Sequence, residues 1–322
     1  MSVKERSGGC PIFGADPASF CVILSPHAFC ILHSSFRIHH FPMPSVLLSI
    51  DYESWFALTR RFDEIPADQR RALDGGYALA ALDPLLEQLA PARASFYLVG
   101  ELVDWFPELP EKIAAAGHEV GFHCQVHRPL TRLSDIQRDL AASRGWRARS
   151  GVTGFRAPMV NTIEDVYPLL KTEGFRYSSS IYAPAGTLLN KNGIRELPVS
   201  TLPLLRRPQN LTAPRKMTLP LVLGGEFPYG SSFTIGLFEK TVLKILEQEL
   251  KRGLSPVIFL HPYELVRPQD WPGRLRRDLF AHPGLIPFTR SKSRFLKTLL
   301  TNFPVSTLRD YLLTNRQPPT AN

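Results

Sequence analysis

From residue 46 onward, short β-rich runs alternate with longer stretches whose apolar residues recur at helical spacing. The short runs are VLLSID at 46–51, ASFYLV at 94–99, HEVGF at 118–122, VTGFR at 152–156, the segment 176–182, and PVIFL at 256–260. Their length and β-branched or aromatic content predict strands. Helices are expected between them at about 76–90, 106–116, 134–148, 163–173 and 234–252. The last should carry an apolar stripe through Leu237, Val242, Ile245 and Leu246. Strands that alternate with helices in this way belong to an α/β protein with a largely parallel sheet or barrel. The proline-rich stretch 198–220 reads instead as an irregular excursion over the surface.

Residues 1–42 break the pattern. Cys and His are enriched there, neither periodicity persists, and Lys4 and Arg6 are separated from the apolar stretch by Gly and Pro, which makes a poor signal peptide. The expected organisation is an atypical, disordered segment over 1–42, or a start site placed too early, then a catalytic barrel over 43–270. A basic, partly helical extension follows over 271–322.

Composition narrows the class. With 44% hydrophobic and 21% charged residues in 322, the chain has the make-up of a soluble globular protein large enough for one α/β domain. The longest apolar stretch, 20–32, is interrupted by Ser25, Pro26 and His27, so no transmembrane segment is expected. A cytoplasmic location, or one peripheral to a membrane, follows as the expectation. The net charge of +9 suggests anionic surroundings, but no basic motif interleaved with aromatics points to nucleic acid. Much of the excess lies in Arg274, Arg276, Arg277, Arg290, Lys292, Arg294 and Lys297, against the single acid Asp278. That stretch could meet an acidic glycan or an anionic surface, although a solvated helix face is the plainer reading. Three of the four cysteines, Cys10, Cys21 and Cys30, fall in the first thirty residues, and no disulfide framework is implied.

The chemistry shows in the polar residues at strand ends, because in parallel α/β folds the C-terminal ends of strands open onto the ligand site. The first strand ends in SIDYESWF, where Asp51 and Glu53 fall on one side if extended geometry continues. One carboxylate can then bind a metal while the other takes a proton, although acids are also ordinary turn residues. In GHEVGFHCQVHR, His123 and His127 stand four apart; on a helical turn both imidazoles would share a face suited to a first-row metal. Two unrelated histidines are the alternative, and Cys124 stands where a HExxH protease would have Glu. GFRAP ends a strand on Arg156, which can pair with a carboxylate and hold it ionised, or can be a plain surface arginine. VIFLHPYE delivers His261 to the end of a buried strand, where it can protonate a leaving amine or serve as a structural histidine.

In this order the four segments resemble the polysaccharide deacetylases, the NodB-homology domain of carbohydrate esterase family 4, over roughly residues 44–265. The resemblance implies a distorted (β/α) barrel of about seven parallel strands. It also implies Asp51 as general base, Glu53, His123 and His127 as ligands of a divalent cation, Arg156 as the residue orienting the base, and His261 as general acid. Zinc is the expected metal, with Co, Mn or Ni as alternatives, and the expected substrate is a carbohydrate. Two departures stand out. Tyr52 and Glu53 follow Asp51 where many members have a second Asp directly, and Ser178 stands in YSSSIYAP where related sequences often carry an acid. If that acid orients the catalytic histidine, its loss weakens the acid step. The region with Phe288, Phe295, Leu299, Leu300, Phe303 and TLRDYL resembles the C-terminal part of deacetylases associated with exopolysaccharide synthesis. Two rival readings remain: an amidase of small molecules on the same fold, and a catalytically weak glycan-binding protein. A polymer deacetylase should have an open cleft lined by aromatics such as Trp55, Tyr182 or Tyr229.

Overall fold

A computed structural model describes residues 43–59, 64–269 and 278–315. The expectations for residues 1–42 and for Arg274, Arg276 and Arg277 lie outside the described residues.

Strand β1 (Val46–Tyr52) is the axis of the fold, with all seven residues buried. It is flanked in parallel by β11 (Val257–Leu260) and β2 (Ser95–Leu98), with Ile50 opposite both Leu260 and Phe96. A strand covered on both faces reads as a continuous apolar run, which is why it was legible in the sequence. The sheet continues in parallel through β3 (Glu119–Phe122), β4 (Gly154–Phe155), β5 (Tyr177–Ser178) and β8 (Ile194–Glu196). At its far edge β7 (Leu189–Lys191) pairs antiparallel with β8. The run from β11 to β8 gives seven parallel strands curled into a half-barrel, as the sequence predicted.

A second sheet of β6 (Tyr182–Pro184), β9 (Val199–Pro203) and β10 (Glu226–Phe227) lies beside the first strand of that run. Ser200 joins the two: its Oγ accepts from Val257 N at 2.8 Å and its carbonyl from Gly230 N at 2.9 Å. The stretch 198–220 is therefore not wholly an irregular excursion. Val199, Ser200 and Thr201 are buried in β9, and the prolines flanking that segment sit where a strand tolerates them, at its ends. The predicted strand 176–182 likewise divides into β5 and β6, one in each sheet.

The expected helices appear with shifted bounds. The first is two short helices, Tyr77–Ala80 and Leu82–Leu89; the others are Leu109–Ala115, Leu133–Arg149, Val166–Thr172 and Ser232–Lys251. In the last of these Leu237 leaves the buried stripe and is 40% exposed. The helix breaks at Phe238 (φ −133°, ψ 43°), so residues before the break are rotated out of phase with Val242, Ile245 and Leu246, and Ile235 is buried instead.

Residues 278–315 are built into the barrel. β12 (Val305–Ser306) pairs with β1, and the helix Leu308–Thr314 buries Leu308 and Leu312 against Leu47, Tyr97 and Tyr177. Lys292, read from sequence as part of a solvated basic face, is 2% exposed.

Candidate functional site

The C-terminal ends of β1, β3, β4 and β11 bring all six predicted residues into one buried cluster. At the end of β1 the Glu53 N–H donates to the Asp51 carbonyl at 3.1 Å. The intervening Tyr52 points away and donates its hydroxyl to Ala78 O at 2.5 Å, leaving both carboxylates on the site side.

His123 follows β3, its N–H donating to Leu98 O at 2.9 Å. The expected helical turn linking it to His127 is absent. Cys124 instead adopts a left-handed conformation (φ 64°) that turns the chain, and the Cys124 and Gln125 carbonyls accept from Gly100 N (2.8 Å) and Glu101 N (2.9 Å). Gly100 permits this approach, since a Cβ there would lie 3.1 Å from the Gln125 Cα. The bend leaves the two imidazole rings 5.2 Å apart.

Arg156, at the end of β4, is fully buried. Its Nη1 contacts both Asp51 oxygens at 3.2 and 3.4 Å, and its Nη2 donates to Ser179 Oγ at 2.8 Å and Ser49 Oγ at 3.3 Å. The guanidinium rests 4.7 Å over the Tyr97 ring and 5.5 Å from that of Phe259. Its backbone carbonyl accepts from His123 Nδ1 at 2.8 Å. A carbonyl can only accept, so Nδ1 carries the proton and Nε2 keeps a lone pair. That Nε2 is buried without a hydrogen bond, 4.0 Å from Asp51 Oδ2 and 3.9 Å from Glu53 Oε2.

His127 Nε2 lies 2.6 Å from Glu53 Oε2, and His261 Nε2 lies 3.7 Å from Glu53 Oε1. Burial pushes the Glu53 carboxyl up, but the imidazoles of His127, His261 and His123 outweigh it and hold it at about 2. Burial, aided by His127, lowers His123 to about 4 against the pull of Asp51 and Glu53. At neutral pH the pair is therefore a carboxylate and a neutral imidazole, the forms that bind metals. One donor atom each from Glu53, His123 and His127 lies within 4.8 Å of the others. One oxygen and two nitrogens, with His123 fixed through its other nitrogen, is a donor set that fits Zn²⁺ or a similar cation.

His261 closes the site from β11. Its N–H donates to Glu264 Oε2 at 2.9 Å, and its Nδ1 lies 3.2 Å from Glu264 Oε1. Glu264 is fully buried, takes a bond from Lys292 Nζ at 2.5 Å and another from the Ser232 hydroxyl. Burial raises the Glu264 carboxyl, but Lys292 and His261 bring it below its ordinary value; burial lowers His261, but Glu264 and Glu53 raise it overall. Tyr263 stacks on the imidazole (5.0 Å, 8° between planes) and donates its hydroxyl to Glu53 Oε1 at 2.7 Å.

Tyr263, Glu264, Lys292 and Ser179 were not among the predicted residues. Glu264 had a signal, since Glu three positions after a helix-capping residue is a capping-box pattern, and His261 caps the turn Pro262–Leu265. Lys292 had none. Ser178 does not approach His261: it donates to Ser180 Oγ at 2.8 Å in a cluster around buried Glu196. The acid beside His261 comes from the same turn as the histidine.

The cluster opens into a cleft of about 920 Å³. Tyr182 lines it as expected, with Phe259, Tyr263 and Phe288; Trp55 and Tyr229 do not, being packed in the core.

No family model matches the chain. Over 146 residues, 42% of this chain, it is 23% identical to a peptidoglycan deacetylase-like protein, FGM2, of Gibberella zeae. The matched stretch spans 43% of that relative's length. Among solved structures, a probable polysaccharide deacetylase of Pseudomonas aeruginosa PAO1 superposes with a TM-score of 0.54 at 16% identity, covering 88% of this chain and 95% of that one. The allantoinase PuuE superposes with a TM-score of 0.52 at 14% identity, covering 92% and 100%. The chain thus resembles polysaccharide deacetylases in sequence and has the curled (β/α) half-barrel of their structures.

Proposed function

We propose that this protein is a metal-dependent hydrolase that removes N-acetyl groups from a glycan. The observation that carries the reading is the meeting, in one cleft, of an Arg-paired carboxylate, a Glu53–His123–His127 donor set and a histidine backed by a buried acid.

Asp51, held by Arg156, accepts the proton of the water that adds to the acyl carbon. Glu53, His123 and His127 would hold a divalent cation, which when bound would supply Lewis acidity to the acyl carbonyl and to water. His261, fixed through Nδ1 by Glu264, presents Nε2 to the cleft and donates a proton to the amine as the C–N bond breaks, giving acetate and a free amine. Aromatic rings along the cleft suit the apolar faces of sugars.

The test measures acetate release from N-acetylated chitin and peptidoglycan oligomers and from exopolysaccharide, alongside metal content. Asp51→Asn or a chelator should abolish release; unchanged turnover after either refutes the reading. The allantoinase match, which covers all of that chain, supports a second reading: hydrolysis of a small cyclic or linear amide. Ring opening of such amides without acetate release from any glycan would establish it.

A further inference from the structure

In the described part of the basic stretch 274–297, Lys292 is buried against Glu264 and Arg290 donates to Gly236 O, while Arg294 and Lys297 are exposed. A second basic region is also strongly apolar. Five large aliphatic side chains stand out of the surface within twenty residues: Leu204, Leu205, Leu219, Val222 and Leu223, with Leu205 83% and Leu223 74% exposed. They form one patch. Leu204 N donates to Gly225 O at 2.6 Å, and the Leu205 side chain lies against Gly225, two residues beyond Leu223. In the short helix Leu219–Leu223 only Leu221 turns inward. Such a cluster is unlike the scattered single apolar residues of an ordinary surface.

Its charge selects what it meets. Between residues 204 and 225 there are four basic residues, Arg206, Arg207, Arg215 and Lys216, and no Asp or Glu. Arg215 is engaged by Glu226 and Tyr182 O, but Arg206, Arg207 and Lys216 are exposed. A second copy of the chain would set these cations against themselves. A glycan would meet aliphatic chains where it needs aromatic faces. Aliphatic knobs rimmed by arginine and lysine, with no acid among them, match the interface of a bilayer that contains anionic lipid.

We propose that residues 204–223 dock the protein, without spanning, on an anionic membrane surface: the leucines enter the acyl boundary while Arg206, Arg207 and Lys216 meet headgroups. Lys216, Met217 and Thr218 also line the catalytic cleft, so docking holds the mouth of that cleft beside the bilayer. This does not depend on which amide the site hydrolyses.

The experiment is flotation of the full-length protein with vesicles of phosphatidylcholine alone or with phosphatidylglycerol added, at low and high salt. Wild type should float with the anionic vesicles and much less with the neutral ones, and salt should weaken binding. Leu205→Glu with Leu223→Glu should lower partitioning by about tenfold per leucine replaced, and Arg206→Glu with Arg207→Glu should remove the preference for anionic lipid. Both substitutions are on exposed side chains, so an unchanged melting temperature confirms that the fold is intact. Absence of wild-type flotation, or flotation undiminished in the leucine variant, overturns the proposal. So does a wild-type dimer that the leucine variant dissociates, which would make the patch a contact between copies.

Discussion

The half-barrel buries a carboxylate at each end of its parallel strands, and the protein treats the two oppositely. Glu119, at the start of β3, accepts from Ser95 Oγ (2.5 Å), Tyr177 Oη (2.7 Å) and Arg309 N (3.1 Å). These neutral donors satisfy it without a full counter-charge, and burial leaves its carboxyl above the ordinary range. Glu53, beyond the other end of β1, is held near 2 by three imidazoles, beside a His123 Nε2 that has no hydrogen bond. A column of side chains joins the ends, because Arg156 sits over the Tyr97 ring and the Tyr97 hydroxyl meets that of Tyr177 at 3.0 Å. The closed network holds the sheet and the C-terminal helix together. The open one keeps lone pairs unspent for a ligand, at the cost of crowded buried charge.

Alanine substitution of the two acids should separate these roles. Glu53→Ala should lower kcat/KM for acetate release by about 1,000-fold or more and reduce bound metal, with little loss of melting temperature, because it relieves crowding as well as removing a ligand. Glu119→Ala strands two hydroxyls and a backbone N–H in the interior, and should destabilise the fold by about 3 kcal/mol, with metal content unchanged in the protein that remains folded. The contrast collapses if Glu53→Ala keeps its metal and turnover, or if Glu119→Ala melts like wild type.

The two ends were not equally legible in sequence. Asp51, Glu53, His123, His127, Arg156 and His261 were found because each follows a short apolar run, and the run marks the strand whose end the residue occupies. Glu119 lies inside such a run, and its partner amide at Arg309 is 190 residues away, so no local pattern announces it. Lys292 was hidden for a related reason: one buried lysine in a basic stretch looks like its solvated neighbours until the fold sets it against Glu264. The bend between His123 and His127 was misjudged because spacing of four fits a helix, whereas the residues are joined by a left-handed Cys124. β7 to β10 and β12 are two to five residues long, too short for period-two alternation to register.

Lys292 allows a finer cut at the open end. Replacing it by Met keeps the aliphatic packing but leaves Glu264 buried without its cation, so Glu264 orients His261 less well. We expect kcat for an N-acetylated oligosaccharide to fall by about 10- to 100-fold with KM nearly constant. Hydrolysis of an aryl acetate, whose phenolate leaves without a proton, should be spared. Equal losses on both substrates would show that Lys292 supports the site as a whole and does not act through the acid step.

The smallest effect probes the closed end through His118, which precedes Glu119 and accepts the Ala94 N–H on Nδ1 at 3.1 Å. Burial, with Arg93 nearby, holds this imidazole neutral down to about 4, whereas an unfolded chain takes up the proton near 6.5. Between those values the unfolded state binds more protons, so this group's contribution is fully present above the unfolded value and is lost as the pH falls from there to about 4. Asparagine offers an acceptor for the same N–H and does not titrate. His118→Asn should therefore lose about 1 to 2 kcal/mol less than wild type on acidification across that window, read from denaturant midpoints at neutral and acid pH. Parallel losses in the two proteins would mean that His118 is hydrated in the native state and that the closed network ends at Glu119.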